Sequence, residues 1–287
     1  YAARRQGRVP GWAPLPVQYA DYAIWQRRLL GDPEDPASVA AVQLGFWRRV
    51  LAGSPAELAL PADRPRSAAA SYRGGRAGFS VGAQTHAGLA RVARDGRGTV
   101  FMAVQAAVAV LLARLGAGAD IPLGTVVAGR GDPAVEELVG FFVNTLVLRT
   151  DVSGDPSFAQ MLGRARETAL AAYAHQELPF ELVVDALHPD RSPARHPLFQ
   201  VLITMQNMPR ASWQLAGLRT GPVPGRGTAE ARFDLSFTIR ERRAAGRPGG
   251  LEASINYSTD LFDAGTAEVL AGRLVRVLEQ VAADPGL

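Results

Sequence analysis

The sequence predicts an α/β (α+β layered) fold, and three observations carry that reading. Strand-like apolar runs alternate with segments of helical period over most of the chain, the pattern of a layered domain. Hydrophobic residues make up 47% of the 287 residues, ordinary for a chain that buries a sizeable core. Glycine and proline punctuate the segments rather than collecting in tracts, and no internal repeat stands out.

Taken in order, residues 16–30 read as a first helix, with Pro16 suited to its first turn and Tyr19, Tyr22 and Trp25 supplying aromatic bulk on one side. Gly31-Asp32-Pro33 stops it. A second helix spans 38–51 and ends at Gly53. The stretch Leu60-Pro61-Ala62-Asp63-Arg64-Pro65-Arg66 can be neither helix nor central strand, so 58–66 is an extended crossing segment and the best boundary. Beyond it come a strand at 76–81, a helix at 83–93 and an apolar helix that Thr99 caps and Leu115-Gly116 ends. Residues 121–127 read as a buried strand and Gly129-Arg130-Gly131-Asp132-Pro133 as a tight loop. A strand follows within 139–149. Asp155-Pro156 is expected to open a helix reaching His175, with Asp as the cap. A short helix at 179–187, a strand at 198–205 and paired strands at 233–240 and 251–257, joined by a Gly- and Arg-rich loop at 241–250, complete the middle. Asp263 caps a final amphipathic helix with Val269, Leu270, Leu274, Val277 and Leu278 on one face.

Composition excludes several classes. No cysteine is present, which removes disulfides and thiolate metal sites and fits a reducing cytoplasm, the expected localisation. The formal charge of +4 does not indicate nucleic acid, because the cations are all Arg and lie scattered among acids. The longest apolar stretch, 100–112, is shorter than a membrane span and contains Gln105. The start, Tyr1-Ala2-Ala3-Arg4-Arg5, has neither an initiator Met nor a signal-peptide core, so the chain is expected to be a piece of a longer one.

Three stretches could carry chemistry. In Val139-Gly140-Phe141-Phe142-Val143-Asn144-Thr145-Leu146-Val147-Leu148-Arg149, one polar pair sits inside an apolar run. An unpaired amide in a dry interior costs about 1–3 kcal/mol, so the pair belongs at a strand end facing solvent, a polar network or a ligand channel. Asn offers both donor and acceptor, which suits a ligand containing an amide. It equally suits an ordinary strand end. His175-Gln176-Glu177-Leu178-Pro179-Phe180-Glu181 lies at a helix–loop–helix junction. There His175 fits a helix C-terminus and the two Glu fit the next N-terminus, a structural alternative to acid–base chemistry. No second His stands at ligand spacing, so no metal is expected. Arg191-Ser192-Pro193-Ala194-Arg195-His196-Pro197-Leu198 is an extended loop whose Arg195 can pair with a carboxylate or phosphate, or act as a pin. Phosphate loops and nucleophile elbows are absent, and no two of the histidines at 86, 175, 188 and 196 are adjacent.

Together with Tyr19-Ala20-Asp21-Tyr22-Ala23-Ile24-Trp25, the crossing segment and Asn256-Tyr257-Ser258-Thr259-Asp260-Leu261-Phe262-Asp263, these stretches resemble, in order and spacing, the later motifs of condensation domains of nonribosomal peptide synthetases. The resemblance covers nearly the whole chain. It implies a chloramphenicol-acetyltransferase-like fold of two lobes around a cleft, with residues 1–66 ending the N-terminal lobe and 67–287 forming the C-terminal lobe. It implies amide formation between a donor thioester and an acceptor amine, both delivered by peptidyl or aminoacyl carrier proteins. Phosphopantetheine would come on those carriers, and no cofactor would be held by the chain itself. Other expected partners are the missing N-terminal lobe and neighbouring synthetase domains, not nucleic acid or membrane. The family's catalytic motif, His-His-x-x-x-Asp-Gly, is expected before Tyr1, so no catalytic residue lies in this chain and alone it should be inactive.

By the same resemblance Asn144, Thr145 and Gln176 line the channel and contact substrate, while Asp21, Tyr19, Trp25, His175 and Arg195 are structural. Glu177 departs from the family's usual Asp, Ser192 from an acid and Ala194 from Ser, which weakens a specific role for that last loop. Two other readings compete: a non-catalytic module that binds carriers or recruits tailoring enzymes, and a coenzyme A-dependent acyltransferase of the same fold.

Overall fold

The computed structural model describes residues 1–189, 192–206, 215–221, 229–244 and 246–287. A short helix, α1 (Ala2–Arg5), precedes α2 (Tyr19–Leu30) and α3 (Val39–Leu51). Pro16 lies outside α2. The cap is Gln18, whose backbone N–H donates to Asp21 Oδ2 at 2.8 Å while its side chain accepts from the Asp21 backbone, a reciprocal capping box. Ser38 caps α3 by accepting from Ala41 N at 3.0 Å. The crossing segment then runs without helix or strand, as its prolines require.

The remaining elements alternate as expected: β1 (Arg73–Val81), α4 (Ala83–Asp95), α5 (Val100–Leu112), β2 (Asp120–Val127), β3 (Asn144–Asp151), α6 (Phe158–Tyr173), α7 (Phe180–Leu187), β4 (Val201–Met205), β5 (Ala229–Glu230), β6 (Leu235–Ala244), β7 (Arg247–Ser258) and α8 (Ala264–Ala283). The strands form one sheet in the order β3-β2-β4-β6-β7-β1-β5. Strand β4 pairs parallel with both β2 and β6, and the other neighbours are antiparallel. Helices α4, α5, α6 and α8 pack against one another and against this sheet.

The core centres on α5, which is buried nearly all round because no charged residue interrupts 100–112. With the following turn, Val100–Ala117 is long and apolar enough to cross a bilayer by composition; in this fold 61% of it is buried, as a core helix. The fully buried Phe199 ring, just before β4, packs so closely on β2 that a Cβ on Gly124 would sit 2.0 Å from it, so this position takes only glycine.

Further expectations are corrected. Asp155 does not cap α6; it turns at φ +46°, and Ser157 forms the capping box with Gln160 instead. Leu198 precedes β4 at φ +68° and is not part of it. The loop expected at 241–250 is mostly strand, because β6 and β7 continue their ladder past a bulge between Glu241 and Arg243. Val269 is 52% exposed; Ala267 and Ala271 take its place in the contact, since small side chains let α8 approach its neighbours.

Asp263 is the N-cap of α8, yet its side chain caps nothing. The capping carboxylate is Asp63 of the crossing segment, whose Oδ2 accepts from Asp263 N and Oδ1 from Thr266 Oγ1, each at 2.7 Å. The Asp263 backbone hydrogen bond and then that of Thr266 hold the Asp63 carboxyl below the usual carboxylate range. A depressed folded-state pKa adds stability above the unfolded value and loses it as pH falls through the folded one. The thermal midpoint of the parent should therefore exceed that of Asp63→Asn at neutral pH, with the gap closing below the ordinary carboxylate range. A gap that stays constant down to strong acid would count against this cap.

Candidate functional site

The loop that leads from β2 to β3 builds one side of a cleft. Gly129 turns at φ +64°, where a Cβ would lie 1.9 Å from the Phe142 carbonyl oxygen. Arg130 then folds back over the Phe142 ring, 4.1 Å from its centroid, and donates to the carbonyls of Val135 and Glu136. Helix α2 docks onto this loop. Tyr19 Oη donates to the Phe141 carbonyl at 2.8 Å, and the rings of Tyr19 and Tyr22 lie 5.3 and 4.7 Å from Phe142. Burial pushes the Tyr22 hydroxyl up, with Tyr19 adding to the effect, so it stays protonated. Gly140 is required here, because a Cβ would fall 2.2 Å from the Tyr19 ring.

Phe142 is buried, whereas Val139 and Phe141 are 95% and 73% exposed, and Phe141 lines the cleft beside Phe142. The enclosed space is a cleft of about 1010 Å3, lined among others by Tyr19, Trp25, Arg130, Asn144, Gln176 and Glu181.

Asn144 opens β3 at the cleft wall, and its amide is fully engaged within the protein. Nδ2 donates to the carbonyls of Gln176 and Leu178, both at 2.8 Å. Oδ1 accepts from Thr145 N at 2.9 Å and Phe180 N at 3.0 Å. It therefore fastens the junction between α6 and α7 and presents no free amide to a ligand. The sequence argument that a polar pair here needs partners is met by this loop. Thr145 pairs with Val126 in the ladder and does not line the cleft. Gln176 does line it, and its side-chain amide has no hydrogen-bond partner among the described residues.

His175 is turned away from the cleft. Its Nδ1–H donates to the Ala171 carbonyl at 2.8 Å, and its ring stacks on Phe46 at 3.7 Å with 3° between planes. Trp47 Nε1 donates to the His175 carbonyl at 3.0 Å. Gln43, one turn earlier on α3, accepts from Leu178 N at 2.9 Å and donates to Glu177. The Glu at 177 thus has a specific partner. Asp21 acts as the helix cap, and Trp25 lies half exposed in the cleft wall, its ring 5.8 Å from that of Tyr22.

Arg195 belongs to a different place. It pairs with Glu57 at 3.4 Å on the rim of a second cavity of about 480 Å3. There Arg66, from the crossing segment, forks onto the buried Asp234, with Nη1 to Oδ1 at 2.9 Å, and also reaches Glu57 at 2.7 Å and the Ala194 carbonyl at 3.1 Å. The Asp234 hydrogen bond pushes the guanidinium pKa further up, while burial pushes the Asp234 carboxyl up against the pull of Arg66. His196 sits with Phe199 and Phe233, and burial moves its imidazole down, so it stays neutral. Arg191 lies outside the described residues.

The structure brings Asn144, Gln176, Asp21 and Trp25 to one cleft and places His175 behind it and Arg195 elsewhere. Sequence reasoning missed Gln43, Arg66 and Asp234. Gln43 carried a signal, a polar residue three and four positions before Phe46 and Trp47 on an apolar helix face. Asp234 carried another, a lone acid entering an apolar strand. Among the described residues no cluster of His, Asp and Glu could hold a metal.

The family model of the condensation domain matches residues 1–287. The chain belongs to that family. It is 50% identical over 286 residues to a dimodular nonribosomal peptide synthase of Bacillus subtilis, covering 99% of this chain and 12% of the synthase. Among solved structures it is similar to the X-domain from teicoplanin biosynthesis, with a TM-score of 0.93 at 40% identity, covering 99% of this chain and 64% of that one. The same X-domain in complex with OxyB gives a TM-score of 0.92 at 40% identity, covering 99% and 62%. The chain thus spans about an eighth of the synthase and under two thirds of the X-domain chains.

Proposed function

We propose that this chain supplies one wall of an amide-forming site, in which an acceptor amine attacks a donor thioester, both presented on the phosphopantetheine arms of carrier proteins. The observation that carries the reading is the cleft itself, a space of about 1010 Å3 floored by a junction that Asn144 clamps, with the unpartnered Gln176 amide in its lining. Holding amine and thioester in a near-attack arrangement supplies much of the acceleration for a reaction already downhill. Gln176 can donate to a thioester or amide carbonyl and accept from an amine or amide N–H. When the amine attacks the thioester carbon, the C–S bond breaks, the thiol leaves on the donor arm, and the amine loses one proton.

None of the four histidines lines the cleft, so no imidazole of this chain is placed to take that proton. We assign that role to a His-His-x-x-x-Asp-Gly motif on an N-terminal lobe outside this chain. The same lobe would cover the exposed apolar edges of Val139, Phe141 and Val143. The 287-residue chain, mixed with two loaded carrier proteins, should give no amide above background. Amide formation at the rate of a complete domain would refute the assignment of the base.

A second reading, recruitment of a tailoring enzyme to a carrier-bound peptide, is favoured by the likeness to an X-domain solved in complex with OxyB. An intact His-His-x-x-x-Asp-Gly motif in the parent protein supports catalysis, and a broken one supports recruitment. A coenzyme A-dependent reading finds less support. The single arginine in the described lining, Arg130, is already committed to Val135, Glu136 and Phe142, so it offers no phosphate-binding cluster.

A further inference from the structure

Gln43 is only 5% exposed on a helix face otherwise given to Phe46 and Trp47. A buried amide is tolerated when both its ends are hydrogen-bonded. Here they are, and both bonds go to one target: Oε1 accepts from Leu178 N at 2.9 Å, and Nε2 donates to the Glu177 carboxylate. Asn144, from β3, holds the carbonyls of Gln176 and Leu178 and the N–H of Phe180. Two amides from two elements therefore grip the chain from the Gln176 carbonyl to the Phe180 N–H, while the Gln176 side chain itself is left unpaired in the cleft. Gln43 itself does not line the cleft.

We propose that Gln43 is a positioning residue that fixes the direction in which Gln176 enters the cleft, acting through Glu177 and Leu178. This inference rests on the amide-forming reading of the same cleft. Gln43→Glu keeps the acceptor for Leu178 N but sets a second carboxylate against Glu177. The double variant Gln43→Glu/Glu177→Gln restores a donor–acceptor pair with its polarity reversed.

The test uses the complete synthetase protein, with hydrogen exchange of peptides covering 175–182 and condensation kinetics on carrier-bound donor and acceptor. Gln43→Glu should speed exchange in that peptide and raise KM for the loaded acceptor carrier about tenfold, the factor for one net hydrogen bond. Its kcat should change little, because a misdirected Gln176 loses binding that ground and transition states share. The double variant should recover both readouts. Faster exchange with unchanged KM would sink the positioning role, as would a double variant no better than the single one. If the parent synthetase forms no amide, the amide-forming reading fails separately. Binding of an acceptor carrier bearing a non-reactive aminoacyl-phosphopantetheine amide then reports on Gln43, and unchanged affinity in Gln43→Glu would overturn the proposal.

Discussion

Asp234→Ala is expected to lower stability by about 3–5 kcal/mol, the cost of leaving one member of a buried ion pair without its partner. Asp234 is 6% exposed, and it receives both forks of Arg66, whose side chain is 16% exposed. Arg66 is held only partly by other groups, Glu57 and the Ala194 carbonyl, so removal of Asp234 leaves a cation in a site shaped for a pair. The same guanidinium links the crossing segment to the start of β6, which spreads the damage to the cavity at Arg195. Urea unfolding of parent and variant should show a lower midpoint at similar slope. Asp234→Leu tests the reason: an apolar replacement still strands Arg66, so it should also destabilise. Arg66→Met/Asp234→Leu, which removes both charges, should recover much of the loss. A loss below about 1 kcal/mol for Asp234→Ala would mean that water takes over the role of the carboxylate, as at an exposed pair.

Asn144→Ala should cost about 3 kcal/mol. Four part-buried backbone groups lose this partner at once, and each such group left unsatisfied costs about 1–3 kcal/mol, reduced here because the cleft admits water. Asn144→Asp is the sharper variant. It preserves shape and the acceptor for Phe180 N, but sets a carboxylate against the carbonyls of Gln176 and Leu178. Both variants should melt earlier and exchange faster across 175–180, and both should lose cleft function before global unfolding. If Asn144→Asp proved as stable as the parent, with unchanged exchange, the clamp would not be what holds this junction.

Much of the fold was legible because local chemistry and tertiary structure agree. The proline-bounded crossing segment, the Thr99 cap, the charge-free 100–112 helix and the strand that holds the Asn-Thr pair depend on period and capping, which act within a few residues. Errors fell where a distant group intervened. Asp263 reads as a cap, but the capping carboxylate comes from Asp63, two hundred positions earlier in the chain. The 241–250 stretch reads as a loop from its Gly and Arg, yet ladder hydrogen bonds between β6 and β7 outweigh that composition.

The cleft divides in the same way. The sequence by itself marked Asn144 and Gln176 and required that a polar pair in an apolar run find partners. Only the tertiary structure decided which partners, because Asn144 and the 176–180 backbone are joined across more than thirty residues, and Gln43 meets Leu178 across 135. Side-chain amides carry no mark of whether they will meet a ligand or a loop. That is settled by which backbone groups the packing of β3, α3 and the α6–α7 junction leaves without water.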